Sequence, residues 1–158
     1  MPGEKDGGPF LAWWQKNEDG THVLIDEAFD YVVEQTKGQS YDAIIGFSQG
    51  GVLATTLALS GRIPGVRAVV TAGAPMVKEA FEVVSHFATE ETLREGSKIP
   101  KLHLAGETDD MVHLSSTALL CSEGGTGELV VHDKGHLFPT KSLYVKCILN
   151  FLATALED

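Results

Sequence analysis

Cysteine is scarce in this chain of 158 residues: there are two, Cys121 and Cys147, in separate segments with helical patterning. Two such residues exclude a disulfide scaffold and lack metal-ligand spacing, and they predict reduced thiols in a cytoplasmic setting. Cations are also few, 12 Lys and Arg against 22 Asp and Glu, for a net charge of −10. Phosphate backbones are bound by clustered Lys and Arg, so nucleic acid is not an expected partner; the charge serves solubility. The six histidines are scattered with no H-E-x-x-H, so no metal site is expected. No G-x-G-x-x-G follows a strand-like run, and no cofactor is called for. Long apolar runs are missing too. The one uncharged stretch, 43–61, contains Gly46, Gln49, Gly50, Gly51, Thr55 and Thr56 and divides into strand, turn and helix, so no membrane span is expected. Met1 to Gly8 is polar and Gly-rich, unlike a secretory signal.

What is present is a hydrophobic share of 43% in a length that suits one domain over 1–158. Residues 1–20 are irregular, Gly- and Pro-bearing sequence around an apolar knot, Phe10 to Trp14. Residues 22–37 carry helical spacing and stop at Gly38. Ala43-Ile44-Ile45 is a short buried-strand run, followed by a helical pattern to Gly61. Val66 to Ala72, Lys101 to Ala105 and Leu129 to His132 are further strand runs. Helical patterns fill 76–95 and 113–122 and start again near Thr140. Apolar strands alternating with helices predict an α/β fold, a mainly parallel sheet covered on both faces. Ligands of such sheets bind beyond the carboxyl ends of the strands, so site residues should fall just after strands.

Gly46-Phe47-Ser48-Gln49-Gly50 matches G-x-S-x-G. That pattern needs a serine on a tight strand-to-helix turn with its Oγ exposed, and small neighbours where strand and helix approach closely. A strand run precedes it and a helix rich in small residues follows, the context in which Ser48 is a nucleophile and not merely part of a Gly-rich turn. Such a serine needs a base, and the base an orienting acid. His136 follows the fourth strand run and Asp109 the third, giving the order Ser, Asp, His found in α/β-hydrolases. Asp110 and Glu107 share the acid's loop; Asp109 is preferred as lying deeper in it. His132, at the end of its strand, is the one rival base. His22, His86 and His103 suit packing or solvation.

Together these segments resemble the FSH family of serine hydrolases. The matching pieces are Ala12-Trp13-Trp14, Gly46 to Gly50, Gly106-Glu107-Thr108-Asp109 with Val112, and Gly135-His136 followed by Pro139. The resemblance implies an α/β-hydrolase three-layer sandwich with Ser48, Asp109 and His136 as triad. It implies hydrolysis of carboxylic esters or thioesters, small or with acyl chains, through an acyl-Ser48 intermediate, the backbone N–H of Gln49 donating to the oxyanion. The Gly46–Gly51 stretch is also similar to the elbow of acyl-protein thioesterases, the second choice of kinship. Trp13, Trp14, Phe47, Pro75 and Met76 are expected to help form a substrate pocket, with Trp13 and Trp14 equally suited to the core.

The family's opening strand and His-Gly loop, source of a second oxyanion donor, have no counterpart before Trp13. The expectation is therefore an N-terminally shortened fold. It would be weakened in turnover, or a binding module that has kept the elbow. Its Ala43–Ile45 strand would lie at a sheet edge that invites a second copy.

Overall fold

The computed structural model describes residues 12–157. Four strands, β3 (Ala43–Phe47), β4 (Ala68–Ala72), β5 (Lys101–Gly106) and β6 (Gly127–His132), form one parallel sheet in the order β3-β4-β5-β6. Ile45 is level with Val70, Val70 with Leu102, and Leu102 with Glu128. The Val-, Ile- and Leu-rich runs suit strands covered on both faces.

α2 (Gln49–Ser60) lies against one face. It has no charged residue, and everything from Gly51 to Ser60 is buried, because strands pack below it and helices flank it. Val52, Leu53, Leu57 and Val69 share that core with Phe29 of α1 (Ile25–Thr36) and Val84 of α3 (Lys78–Phe87). α6 (Ser142–Leu156) covers the other face through Ile148, against Val70, Leu102 and Leu104. Helices on both sides of a parallel sheet make the expected three-layer sandwich.

Three local outcomes depart from the pattern. Of residues 1–20, which are expected to be irregular, 12–20 are described, and they contribute to an antiparallel hairpin, β1 (Gln15–Lys16) with β2 (His22–Val23). Its turn is closed by the Asn17 N–H to the Thr21 carbonyl and by the Asp19 carboxylate, which accepts from Thr21. The first helix accordingly begins at Ile25, after Leu24 at φ 66°. The pattern over 76–95 divides into α3 and α4 (Glu90–Lys98). Ala88 is extended there, and the Thr89 hydroxyl accepts from the Thr92 N–H as the cap of α4. Between β5 and β6 runs α5 (Leu114–Glu123). Among the described residues no helix is long and apolar enough to cross a membrane, and both cysteines are free thiols.

Candidate active site

Ser48 stands between β3 and α2 at φ 53°, ψ −122°. Non-glycine residues rarely occupy that region, and such strain persists only where the surroundings enforce it. Here the Ser48 N–H donates to the Ala72 carbonyl of β4 at 2.9 Å, while its own carbonyl receives the first helical bonds from Gly51 and Val52. Gly46 is required because a Cβ there would strike the Gly50 carbonyl and lie 2.6 Å from the Gly51 nitrogen. Strand and helix therefore meet backbone to backbone, thrusting the Ser48 side chain outward.

His136 follows β6. Its Nε2 lies 3.1 Å from Ser48 Oγ and its Nδ1 2.8 Å from Asp109 Oδ2. With Nδ1–H donating to the carboxylate, Nε2 is left to accept from the serine hydroxyl. Asp109 Oδ1 accepts the N–H groups of Met111 at 2.9 Å and Val112 at 2.8 Å. Burial alone pushes this carboxyl up. Hydrogen bonds from the Val112 N–H, His136 and the Met111 N–H outweigh it and hold it below the ordinary carboxylate range. Its side chain is 1% exposed, that of His136 11%. Asp110 and Glu107 point to solvent. The structure thus brings Ser48, His136 and Asp109 together in one relay, with a buried carboxylate at one end and a half-buried serine at the other.

Two neighbours confine the imidazole. Gly73, at φ 55°, stands where a Cβ would come within 3.0 Å of His136 Cε1 and Nδ1. On the other side the Phe47 ring lies 4.8 Å from the imidazole, tilted by 40°. Gln49 opens α2, so its N–H has no partner within the helix. Its side chain bridges back to the hairpin segment, accepting the Trp13 N–H at 3.0 Å and donating to the Trp14 carbonyl at 3.2 Å.

The expected pocket residues separate. Trp13 and Phe47 are partly exposed and line one groove of about 330 Å³ with Ile45, Gly50 and Leu53, along β3 and α2. Trp14 is instead a core residue, 2% exposed, in the same cluster as Phe29 of α1 and Val52 of α2. Pro75 and Met76 are half-buried after β4, where the Met76 N–H donates to Ser116 Oγ. Of the stretch before Trp13, where the family's second oxyanion donor has no counterpart in the sequence, only Ala12 is among the described residues. His132 and His103 are buried within their strands, His22 contacts Glu79, and His86 is exposed. Gly73 was missed: its need appears only once His136, 63 residues along the chain, is seen against it. Among the described residues no three His, Cys, Asp or Glu gather as for a metal ion.

A parallel sheet between helices, with serine, acid and histidine at its carboxyl ends, defines the α/β-hydrolase class. Acyl-protein thioesterase 2 of Zea mays has this fold (TM-score 0.71 at 17% identity, covering 92% of this chain and 73% of that one). SOBER1 of Arabidopsis thaliana has it as well (TM-score 0.62, 23% identity, 90% and 68%). Within that class the chain belongs to the serine hydrolase (FSH1) family, whose description matches residues 3–148. Similar relatives are esterase GA18864 of Drosophila pseudoobscura pseudoobscura, 26% identical over 93% of this chain and 53% of its own length, and bovine esterase OVCA2, 26% identical over 89% and 66%. The chain spans about half the length of several curated relatives it matches.

Proposed function

We propose that the chain is a serine hydrolase that cleaves carboxylic esters or thioesters through an acyl-Ser48 intermediate. The observation that carries this reading is the continuous relay from Asp109 through His136 to a serine held in a strained turn. Nε2 of His136 takes the Ser48 proton as Oγ forms its bond to the acyl carbon. The carbonyl oxygen becomes the oxyanion at the start of α2, where the Gln49 N–H donates to it. When the intermediate collapses, the C–O or C–S bond breaks and the same Nε2 returns the proton to the leaving group. Asp109, kept ionised, fixes the imidazole tautomer and stabilises the imidazolium. Water then attacks the acyl-enzyme with His136 again as base, releasing the acid and restoring Ser48. A fluorophosphonate probe should label the wild-type chain at Ser48 and leave Ser48→Ala unlabelled. Turnover across acyl esters and thioesters of graded length reads the preference. Equal labelling of both chains would remove Ser48 as nucleophile. Labelling followed by an acyl-enzyme that does not turn over would mark a binding module in place of a hydrolase.

The reading includes self-association. Among the described residues β3 has a hydrogen-bonded neighbour on one side only, and Ala43 to Phe47 carry no charge, proline or lysine to discourage pairing. On a chain of net charge −10 this neutral edge is where a second copy meets the least repulsion. Sedimentation velocity should show a concentration-dependent dimer; a monomer at all concentrations overturns that part.

A further inference from the structure

His132 ends β6 and takes no part in the proton relay, yet both loops of that relay meet on it. It is 1% exposed. Its Nδ1 accepts the Lys134 N–H at 3.3 Å, two residues before His136. Its carbonyl accepts the Glu107 N–H at 2.8 Å, two residues before Asp109. The ring also meets Tyr144 of α6 edge-on, with centroids 5.7 Å apart and planes at 63°.

Because Nδ1 accepts, the neutral ring carries its proton on Nε2, and that buried N–H has no hydrogen-bond partner among the described residues. Leaving a buried donor unpaired is unfavourable. An apolar side chain would fill the space without that cost, so packing alone does not account for an imidazole here. What the imidazole supplies is the acceptor for Lys134. The segment it holds has little slack: a Cβ on Gly106, at the end of β5, would strike the Lys134 carbonyl and come within 2.6 Å of the Gly135 carbonyl. The Asp133–Lys141 ion pair at 2.7 Å also ties this loop, but its side chains are more than half exposed. Exposed pairs of that kind hold weakly.

We propose that His132 is a positioning residue of the triad, pinning the acid loop through its carbonyl and the base loop through Nδ1, and so setting how His136 meets Asp109. The proposal rests on the serine-hydrolase reading of the site. Support of this kind around a catalytic group decides whether the group sits in register, and a misplacement of about 1 Å can cost on the order of a hundredfold in rate.

The test uses His132→Leu, which removes the acceptor, and His132→Asn, whose side-chain oxygen stands near the place of Nδ1. The leucine variant should lose about 10- to 100-fold in kcat and in fluorophosphonate labelling rate, with KM within about two-fold. The asparagine variant should return to within about three-fold of wild type. His132→Gln, whose amide reaches toward the Nε2 position instead, serves as the loss variant if leucine does not fold. A second readout is independent of turnover: the low-field proton resonance of His136 Nδ1–H bonded to Asp109. It should persist in wild type and His132→Asn and broaden or vanish in the loss variant. A loss variant that keeps both the wild-type labelling rate and that resonance overturns the proposal. If the resonance behaves as stated but wild type never labels, the hydrolase reading fails while the positioning role stands.

Discussion

Strands β4 and β5 are buried along their whole length, whereas β3 exposes Ile45 and Phe47 and β6 exposes four of its six residues. The sealed inner pair supplies one member of the proposed triad, Asp109 after β5; the two open strands supply the others, Ser48 after β3 and His136 after β6. Ser48 and His136 thus follow strands whose side chains reach solvent, and backbone bonds tie these outer strands to the buried pair. Ser48 N–H is anchored on Ala72 of β4, and Glu107 N–H, after β5, on the carbonyl of His132. Each of these ties crosses between an outer and an inner strand, Ser48 onto β4 and the loop after β5 onto β6.

The hardest blow to this division falls on the outer strands' residues. Ser48→Ala or His136→Ala should each remove about 10⁴-fold or more of kcat, since triad members act as a unit. Circular dichroism should show the sheet unchanged. Asp109→Asn should cost somewhat less, on the order of 10³- to 10⁴-fold in kcat, chiefly through the wrong imidazole tautomer. Asp110→Asn should be mild, and a severe effect there would move the acid along the loop.

The inner pair should respond in stability instead. His103 is fully buried in β5 with Thr71 Oγ1 2.8 Å from Nδ1, and burial, with a smaller contribution from the Lys101 charge, pushes its pKa down to about 4. Between that value and the ordinary 6.5 the unfolded chain binds a proton that the folded chain refuses, so stability falls as pH drops through this window. The loss should approach the order of 3 kcal/mol by pH 4, measured by urea unfolding. His103→Asn, polar but not titrating, should flatten that part of the profile. An equally steep loss in the asparagine variant would place the sensitivity elsewhere. The smallest effect belongs to the open edge. Ile45→Lys, at a position 56% exposed, should abolish the dimer proposed above, read by sedimentation, while shifting the unfolding midpoint little.

Much of this was legible in the chain itself. Strand runs such as Ala68 to Ala72 and Leu102 to Ala105 are largely apolar because both sheet faces are covered there, and that composition survives without coordinates. The elbow is local, so Gly46 to Gly50 could be read from spacing. The order of Ser48, Asp109 and His136 could be read from loop positions after strands. What escaped depends on contacts between distant segments. The hairpin at Gln15–Val23 is too short for periodicity to register, and its tie to the elbow is a side chain, Gln49, 36 residues from Trp13. Trp14 is buried and its neighbour Trp13 is 44% exposed, a difference that two adjacent tryptophans cannot reveal. Gly73 resembles any strand-ending glycine until His136 is placed against it.

Gln49 gives that tie a mechanical meaning. Its backbone amide opens α2 directly after Ser48 and is the oxyanion donor proposed above, while its side chain grips the segment just before β1. Whatever tugs on Trp13 and Trp14 — a cut in the Asn17–Gly20 turn, or a crowded neighbour leaning on the hairpin — therefore reaches the residue adjoining Ser48 along a path of two hydrogen bonds and one side chain. The opening of the described chain is far from the triad in sequence, and in leverage it is next door.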